Sequence, residues 1–362
     1  MKRFRILGAA VLLIVTGCAP AAAPAEPPTP TSPPEPQTVR VMTHDSFDIS
    51  EEVLTAFEEE HNASVEVLKA GDAGVVLNQA ILSKDNPLAD VLYGVDNTLL
   101  SRALNAEIFE PYESPMLEEI PDRLELDDEH RVLPVDYGDV CLNYDKAWFE
   151  EEGLAPPSNL ETLTETEYEA LTVVENPATS SPGLAFMLAT IGHFGEENEY
   201  SWLDYWADLR ENGVLVTEGW SEAYYEQFTY ASGGSGDRPI VVSYASSPPV
   251  EVQFSEEPFD EAPTGVVVGN QSCFRQIEFV GVLRNAEHPE LARAWIDFML
   301  GETFQEDIPL HMFVFPANEN ADLPDVFAEF AVVPTDPVTL DYTAIEANRE
   351  AWIEAWTETA LR

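Results

Sequence analysis

The sequence predicts an α/β protein with two lobes, each a mostly parallel sheet flanked by helices, joined by two crossing strands. Apolar strand patterns alternate with amphipathic helix patterns from residue 38 onward, which is typical of parallel sheets covered by helices. Two long segments, residues 131–144 and 276–283, have the apolar character of strands that pass between lobes. The chain of 362 residues is long enough for two lobes of ordinary size.

Repeated strand–helix units are predicted in the first part of the folded region. The predicted strands are residues 39–43, 64–68 and 89–95. Ser50 is the expected cap of the first helix, a Gly-rich turn at residues 70–74 leads into the second, and Asp96 opens the third. Ligands of such sheets bind beyond the carboxyl ends of the strands. We therefore expect His44 and Asp72, which follow two of these strands, to face a ligand.

The crossing strands divide the chain into discontinuous lobes. We expect residues 38–133 plus 276–312 in the first lobe and residues 134–275 plus 313–362 in the second. Amphipathic spacing also predicts two helices late in the chain. They cover residues 289–300 and 343–361.

The N-terminus has the pattern of an export signal. Residues 1–17 combine basic residues near Met1 with a short apolar run, which predicts a signal peptide. Small residues before Cys18 resemble the lipobox of bacterial lipoproteins, and this resemblance implies cleavage before Cys18 and acylation of its thiol. A plain signal peptide with a chance cysteine is the alternative. Residues 18–37 are rich in Pro, Ala and Glu, which predicts an extended tether. We expect a lipid-anchored protein outside the cytoplasmic membrane or in the periplasm.

The charge of the chain is strongly negative. It has 17 basic and 67 acidic residues, a formal net charge of −50. Such a surface repels phosphate backbones, so we do not expect nucleic acid as a partner. Screening at high ionic strength would relieve the self-repulsion, and we hold salt adaptation as a hypothesis.

Three cysteines leave two once Cys18 is acylated. Cys141 lies on the first crossing strand and Cys273 just before the second. If these strands run side by side, the two thiols can form a disulfide in an oxidising compartment and tie the lobes near the hinge. Two buried free thiols are the alternative.

A candidate ligand site is predicted around Trp220. Gly219 allows a sharp turn, Trp220 offers a flat aromatic face, and Ser221 is positioned to cap the helix that follows. Downstream, residues 239–244 predict a buried strand that ends in the hydroxyl run of residues 244–247. We interpret the two pieces as walls of one cleft. The alternative is that Trp220 anchors the core and the serine run is an ordinary loop.

No catalytic signature is found in the sequence. The phosphate-binding loop, the nucleophile elbow and the zinc-protease motif are all absent from the printed chain. We therefore predict a binding protein rather than an enzyme, without a cofactor. Tyr224 and Tyr225 raise a ferric-iron hypothesis, since adjacent phenolates can hold that ion. The alternative is that Tyr224 packs in the lobe and Tyr225 faces solvent.

Several segments, kept in order, resemble the thiamine-binding proteins of bacterial thiamine importers. They are THDSF (43–47), ADVLYGVDNTLL (89–100), PVDYG (134–138), TSSPGL (179–184), TEGWSEAY (217–224) and SYASSP (243–248). The likeness extends from about residue 38 to NREAWI (348–353) in the last helix. It implies a type II periplasmic-binding fold and recognition of thiamine and its phosphate esters.

The resemblance also implies a set of ligand contacts and partners. The contacts carried over by position are Asp72, Ala73, Ser180, Ser181, Trp220, Tyr244, Ala245, Ser246 and Ser247, with His44 and Phe313 at two further positions. The implied partners are thiamine and the permease and ATPase of an importer, and we expect a monomer. A cationic thiazolium suits a carboxylate and aromatic faces, and a phosphate tail suits hydroxyls at a helix start.

The sequence departs from the family at several of these positions. His44 stands where the family commonly has Tyr, Phe313 where it has Trp, and Val250 where it has a further Tyr. We expect a thinner aromatic sandwich around the ligand. Two other ligand classes remain open: ferric iron, through Tyr224 and Tyr225, and a polyamine, suggested by the acidity and the aromatic cleft.

Overall fold

Two long antiparallel strands form the middle of the sheet and join its two halves. The computed structural model describes residues 36–255 and 260–362. The strands are β1 (Gln37–Thr43), β2 (Ala63–Lys69), β3 (Val91–Asp96), β4 (Phe109–Glu110), β5 (Leu133–Asp145), β6 (Thr172–Glu175), β7 (Leu215–Thr217), β8 (Ile240–Tyr244), β9 (Thr264–Val267), β10 (Phe274–Leu283) and β11 (Phe315–Pro316). The strand order is β2-β1-β3-β10-β5-β8-β6-β7, with the short strands β4, β9 and β11 beside β10 and β5.

The pairing directions confirm the predicted arrangement. β1 runs parallel to β2 and β3, and we call these three strands the first half-sheet. β6 runs parallel to β7 and β8, and these form the second half-sheet. Between them, β10 and β5 pair antiparallel with each other and with the adjoining half-sheets. β5 and β10 are therefore the predicted crossing strands, and both half-sheets belong to one hydrogen-bonded sheet.

Helices pack against this sheet and connect its strands. They are α1 (Glu51–His61), α2 (Ala73–Leu82), α3 (Leu100–Asn105), α4 (Lys146–Glu152), α5 (Ser181–Phe194), α6 (Trp202–Glu211), α7 (Trp220–Glu222), α8 (Pro248–Gln253), α9 (Pro289–Leu300), α10 (Glu302–Gln305), α11 (Ile308–His311), α12 (Asp325–Phe330) and α13 (Tyr342–Ala360). Short 3-10 helices lie at Pro115–Glu119, Asp122–Leu124, Glu161–Thr164 and Thr166–Tyr168, and one π-helical turn at Ala223–Gln227.

The predicted cap of the first helix is confirmed, and two other predicted helix starts are wrong. Ser50 caps α1 by accepting a hydrogen bond from Val53 N, as expected. Ser221 does not cap a helix, because α7 already begins at Trp220 behind an extended Gly219. The third helix begins at Leu100 rather than at Asp96. The carboxylate of Asp96 instead accepts the backbone N–H groups of Thr98 and Leu99 in the turn that leads into it.

Aromatic side chains fill the core on both sides of the crossing strands. In α9, Trp295 is fully buried and packs edge-on against Phe57 of α1, with ring centroids 4.8 Å apart. In α13, Trp356 packs against Trp206 of α6 at 5.3 Å. These contacts fix α9 and α13 as predicted, because burial of large rings is the main favourable term in folding.

The export signal at the N-terminus and the boundaries between the lobes remain predictions. The signal peptide, the acylation of Cys18 and the tether as far as residue 35 lie outside the described residues. Gln37, placed at the end of the tether, is the first residue of β1. The lobe boundaries at residues 133, 275 and 312 stay a prediction. Within residues 36–255 and 260–362, we find no helix whose length and apolar content suffice to span a bilayer.

Cys141 and Cys273 form a disulfide across the crossing strands, with Cα atoms 4.5 Å apart. Both side chains are buried. They sit next to the paired residues Val140 and Phe274, so the pairing of β5 with β10 brings the thiols together. The bridge closes a loop between residues separated by 132 positions in the sequence.

Removing this bridge is expected to destabilise the fold. Loss of a disulfide that closes a long loop costs roughly 2–5 kcal/mol, chiefly because the unfolded chain gains freedom. We expect the Cys141→Ala, Cys273→Ala chain to unfold at lower urea concentration than the wild type, measured by fluorescence. A Cys18→Ala chain, denatured without reductant, should titrate no free thiol. Two free thiols in that titration would contradict the bridge.

Candidate functional site: a cleft at the carboxyl ends of the strands

A cavity of about 490 Å³ lies between the two half-sheets. Its walls come from the loops after β1 and β2, the starts of α5 and α7, the end of β8, the middle of β10, and residues 310–314. The parallel strands end here, which is where ligands bind in sheets of this kind. The volume is in the range of small-molecule sites. The predicted ligand residues in the wall are His44, Asp72, Ala73, Ser181, Trp220, Tyr244 and Phe313.

Trp220 is held rigidly in the cavity wall. Its side chain is 8% exposed, and its ring stacks on Tyr224 with centroids 4.8 Å apart and planes 18° apart. Its Nε1–H donates to Ser243 Oγ at 3.0 Å. Phe313 packs against the indole at 73°, with centroids 6.1 Å apart. With Tyr224 stacked on the ring, the remaining surface of the indole is what a ligand can contact.

The turn that carries Phe313 is strained. Phe313 has φ 62°, the left-handed region that bulky residues rarely adopt. The carbonyl of Phe313 accepts a hydrogen bond from Ser246 Oγ, which fixes this turn to the end of β8. Strain of this kind is concentrated at ligand sites, where the surrounding structure maintains it. Here it points an aromatic ring at Trp220.

Tyr244 is linked to Ser181 through Gln276. The phenol donates to Gln276 Oε1 at 2.8 Å, and Gln276 Nε2 donates to Ser181 Oγ at 2.7 Å. Because Ser181 Oγ accepts this bond, its own proton stays free for a ligand. A Cβ on Gly138 would lie 2.8 Å from Tyr244 Cδ1, so β5 needs glycine beneath the ring. The three side chains thus form one ordered wall.

Asp72 connects the two sides of the cavity. It is the N-cap of α2, and its Oδ1 accepts hydrogen bonds from Ala73 N at 2.7 Å and Ser181 N at 3.0 Å. Its Oδ2 faces the turn before Trp220, because a Cβ on Gly219 would lie 3.4 Å from that atom. Burial raises the pKa of Asp72 to about 6, and the two backbone bonds and His44 limit the rise. The carboxylate is therefore ionised at neutral pH.

A buried polar cluster lies beneath this wall. His44 Nε2 lies 3.7 Å from Glu278 Oε1 of β10. Burial opposes the charge of His44, yet the negative charge of Glu278 leaves its pKa above the usual value. Burial and the charge of Glu278 hold the pKa of Asp136 on β5 well above its usual value, which favours its protonated form. Tyr93 donates to Asp136 Oδ2 and lies 3.1 Å from Glu278 Oε2.

Four of the predicted ligand residues lie behind the wall instead of in it. Ser180 is the N-cap of α5 and is buried. Ala245 packs with the disulfide, Ser246 bonds the carbonyl of Phe313, and Ser247 Oγ lies 3.1 Å from Ser243 Oγ. Ser246 and Ser247 thus support residues at or behind the cavity wall, and direct ligand contact by any of the four stays a prediction.

Sequence reasoning missed several residues of the wall. Glu278 is the most consequential, because it adds a buried carboxylate to the cavity. Its position on a crossing strand beside polar Gln276 was a usable signal, since a charged residue inside a buried strand needs a partner. Further wall residues outside the predicted set are Asp45, Ser46, Phe47, Asp48, Lys69, Pro182, Ser221, Tyr225, Phe254, Leu310, His311, Met312 and Val314.

The tyrosine pair is arranged as packing residues rather than as two ion ligands. Tyr224 is 2% exposed and its phenol donates to Glu251 Oε1, whereas Tyr225 is 48% exposed at the cavity mouth. Burial and the charge of Glu251 hold the pKa of Tyr224 well above its usual value, which disfavours a phenolate. Among the described residues, no group of three or more His, Cys, Asp or Glu side chains is placed to bind a metal ion.

Comparison with known proteins shows a likeness to solute-binding proteins over more than half of the chain. A family model described as "Bacterial extracellular solute-binding protein" matches residues 86–334, more than half of the chain. The chain is 29% identical over 331 residues to the "Thiamine-binding periplasmic protein" of Salmonella typhimurium, covering 89% of this chain and 93% of that one. The matched proteins are named as binding proteins, which agrees with the prediction that the chain is not an enzyme.

Solved structures resemble the fold over nearly the whole chain. A structure titled "Periplasmic thiamin binding protein" superposes with a TM-score of 0.79 at 26% identity, covering 92% of this chain and 99% of that one. The ferric binding protein from Campylobacter jejuni superposes with a TM-score of 0.70 at 17% identity over 89% of this chain and 99% of that one, a likeness of fold alone. The chain therefore belongs to the family of bacterial extracellular solute-binding proteins and has their two-lobed type II periplasmic-binding fold.

Proposed function

We propose that this protein captures thiamine and its phosphate esters outside the cytoplasmic membrane for an ABC importer. The observation that carries the proposal is the convergence of Trp220, Tyr244, Phe313 and the carboxylate of Asp72 on one cavity. The likeness to thiamine-binding periplasmic proteins over most of the chain supports the choice of ligand.

The charges of the cavity suit a cationic ligand. Thiamine has a thiazolium ring with a fixed positive charge and a flat aminopyrimidine ring. Asp72 and Glu278 supply carboxylates in a partly desolvated site, where opposite charges attract more strongly than in water. Trp220 and Tyr244 supply aromatic faces that attract cations and stack on flat rings.

The same cavity offers groups for a phosphate tail. The hydroxyl proton of Ser181 is free, because Ser181 Oγ accepts its bond from Gln276. Ser181 is also the first residue of α5, and the start of a helix favours negative charge. Lys69 adds a cation to the wall. These groups support recognition of thiamine phosphates as well as thiamine.

The proposal extends to location and partners. A signal peptide with acylation at Cys18, followed by the Pro-rich tether, would hold a monomeric receptor near the membrane surface. The loaded receptor would then deliver its ligand to a permease with an associated ATPase. Mass spectrometry of the protein purified from its native membrane tests the anchor, since acylation adds a defined lipid mass at Cys18.

Calorimetry with thiamine tests the ligand assignment. A ligand that binds only the folded protein must also raise its melting temperature. We expect heat of binding and a thermal shift with thiamine, and displacement of thiamine by its phosphates. Absence of both signals at saturating thiamine would reject the assignment.

Replacing Trp220 by alanine is expected to weaken thiamine binding by roughly 2–4 kcal/mol, the cost typical of removing a central aromatic side chain from a binding site. The loss should appear as an increase in the calorimetric dissociation constant while the protein remains folded. Trp148→Ala is the matched control, because this partly buried indole lies on α4 outside the cavity wall. Equal affinities of the wild type and the Trp220→Ala protein would place the ligand elsewhere.

Affinity for thiamine is expected to fall as the pH drops through about 6. The pKa of Asp72 is about 6, so protonation below that pH removes a charge that attracts the cation. The loss between pH 7 and pH 5 should be roughly three- to tenfold, and Asp72→Asn should remove this step from the profile. The stability of the unliganded protein changes with pH in the opposite direction. The folded pKa lies above the unfolded value of 3.8, so the contribution of Asp72 to stability falls as the pH rises from about 4 to 6.

Asp45→Asn is the control for this pH profile. Asp45 is an exposed carboxylate at the edge of the same cavity, and its replacement should leave the step near pH 6 in place. A profile of Asp72→Asn that matches the wild type would mean that another group, such as His44, produces the step.

Polyamine and ferric iron are the competing ligands. Spermidine is also cationic but has no ring to stack on Trp220, so we expect it not to displace bound thiamine. Addition of ferric salt should produce no visible phenolate absorption band, because the phenol of Tyr224 is already bonded to Glu251. Displacement by spermidine, or such a band, would favour the corresponding alternative.

A further inference from the structure

A second, smaller cavity lies on the other side of the start of α5 from the ligand cleft. Its walls come from α2, α3, the segment before α5, and α13. Ser181 belongs to the walls of both cavities, so the two spaces are adjacent. The space measures about 10 Å³, close to the minimum that holds one water-sized particle. Two arginines, Arg102 and Arg349, line it.

Arg349 is a largely buried arginine whose Nε has no hydrogen-bond partner among the described residues. Its side chain lies on the inner face of α13 and the residue is only 9% exposed. Its Nε is buried and makes no hydrogen bond, and no residue in the described part of the chain forms an ion pair with it. A guanidinium cannot release its proton at neutral pH, so it cannot relieve its burial by becoming neutral. A buried positive charge without a close partner is destabilising, so an anion in direct contact with Arg349 would stabilise the fold.

Arg102 adds a second positive charge at the same place. It lies on α3 and donates to Asn78, and no carboxylate among the described residues forms an ion pair with it. Burial and the proximity of Arg102 lower the pKa of Arg349 from its usual value, as expected when two cations share a site. Glu346 and Glu350 of the same helix act on the pKa of Arg349 in the opposite direction, but no carboxylate of the described residues forms an ion pair with either arginine.

The third side of the cavity offers a hydroxyl donor. Ser180 is buried and caps α5, a helix of 14 residues, by accepting a bond from Gly183 N. Its own hydroxyl proton is left available. The helix start adds a favourable field for negative charge. Arg102, Arg349 and Ser180 therefore all line a space of about one water-sized particle.

We propose that a small inorganic anion of about the size of chloride binds between Arg102 and Arg349, beside Ser180. The anion supplies a counter-charge in direct contact with the two arginines, which no ion pair of the described residues provides. The space is matched to a monatomic ion, and a bulky anion such as gluconate is too large for it.

This anion would join parts of the fold that form the ligand cleft. Arg102 belongs to α3, which follows the first half-sheet, whereas Ser180 begins α5, which follows β6 of the second half-sheet. Ser181, the next residue, donates its N–H to Asp72 across the same junction. An anion that ties α3 and α13 to the start of α5 stabilises the arrangement in which Asp72 reaches Ser181. By linkage, bound anion and bound solute favour each other. Anion binding itself does not depend on which solute fills the cleft.

Bromide substitution locates the site directly. Crystals of the protein grown or soaked in bromide should show an anomalous peak within hydrogen-bond distance of both Arg349 and Arg102. The wild-type protein is used, so the result does not depend on how a variant folds. Anomalous peaks that occur only at the surface, with none in this cavity, would overturn the proposal.

Melting temperatures at constant ionic strength provide the second test. Because the net charge is −50, any salt stabilises the protein by screening, so chloride is exchanged for gluconate at fixed concentration. We expect the melting temperature to rise by a few degrees as chloride replaces gluconate, along a saturating curve. Arg349→Gln and Arg102→Gln should lose this rise. Arg123→Gln, which removes an exposed arginine paired with Glu319, should keep it.

Glu346 is the competing partner for Arg349. It precedes Arg349 by three residues on α13, and its Oε2 is buried without a hydrogen bond. If the anion is the partner, Glu346→Gln should keep or strengthen the chloride effect, since one negative charge near the site is gone. A wild-type melting temperature that does not respond to the exchange, together with a large loss of stability in Glu346→Gln, would assign the charge balance to an Arg349–Glu346 ion pair and overturn the proposal. If the Arg349→Gln protein does not fold, the melting temperature of Arg102→Gln and the anomalous map with bromide decide whether the anion binds here.

Discussion

The carboxylate of Asp72 is the interaction on which the shape of the cleft depends. A single buried oxygen accepts N–H groups from the starts of two helices, α2 beside the first half-sheet and α5 beside the second. Such charge-assisted bonds are stronger than neutral ones, and they cost the carboxylate its hydration. The rise in the pKa of Asp72 expresses that cost. The group that fixes the relative position of the walls is therefore also the group best placed to attract a cation.

Charged side chains are buried in the two crossing strands at the middle of the sheet. On the crossing strands, Asp139 and Arg275 form a two-pronged pair at 2.9 and 2.7 Å, and Asp136 faces Glu278 in the register of β5 and β10. Buried charges of this kind specify register and position more than they add stability. In this chain they hold Glu278 beneath His44, at the base of the cleft. The polarity of the crossing strands is thus part of how the site is built.

Local patterns in the sequence were enough for the units of the fold but not for the second layer of the site. β-Branched runs and the cap at Ser50 predicted β1, α1 and their neighbours, because these signals depend on adjacent residues. Ser246 and Ser247 have the same local appearance as wall residues, yet their hydroxyls bond Phe313 and Ser243 inside the fold. Such roles depend on residues brought close only by the topology. Glu278 was missed for the same reason, since its partners come from β1, β3 and β5.

The continuous sheet has a mechanical consequence for the exchange of solute. Because β5 and β10 are hydrogen-bonded along their length and joined by the Cys141–Cys273 bridge, the halves cannot swivel on a loose linker. Widening the cleft would require the ladder itself to flex, a deformation shared elastically by many residues. The hydrogen bond from Ser181 N to Asp72 joins the two sides of the cleft, so widening the cleft at this point would break it. The residence time of a bound solute would then depend on how often the hydrogen bond between Asp72 and Ser181 N opens.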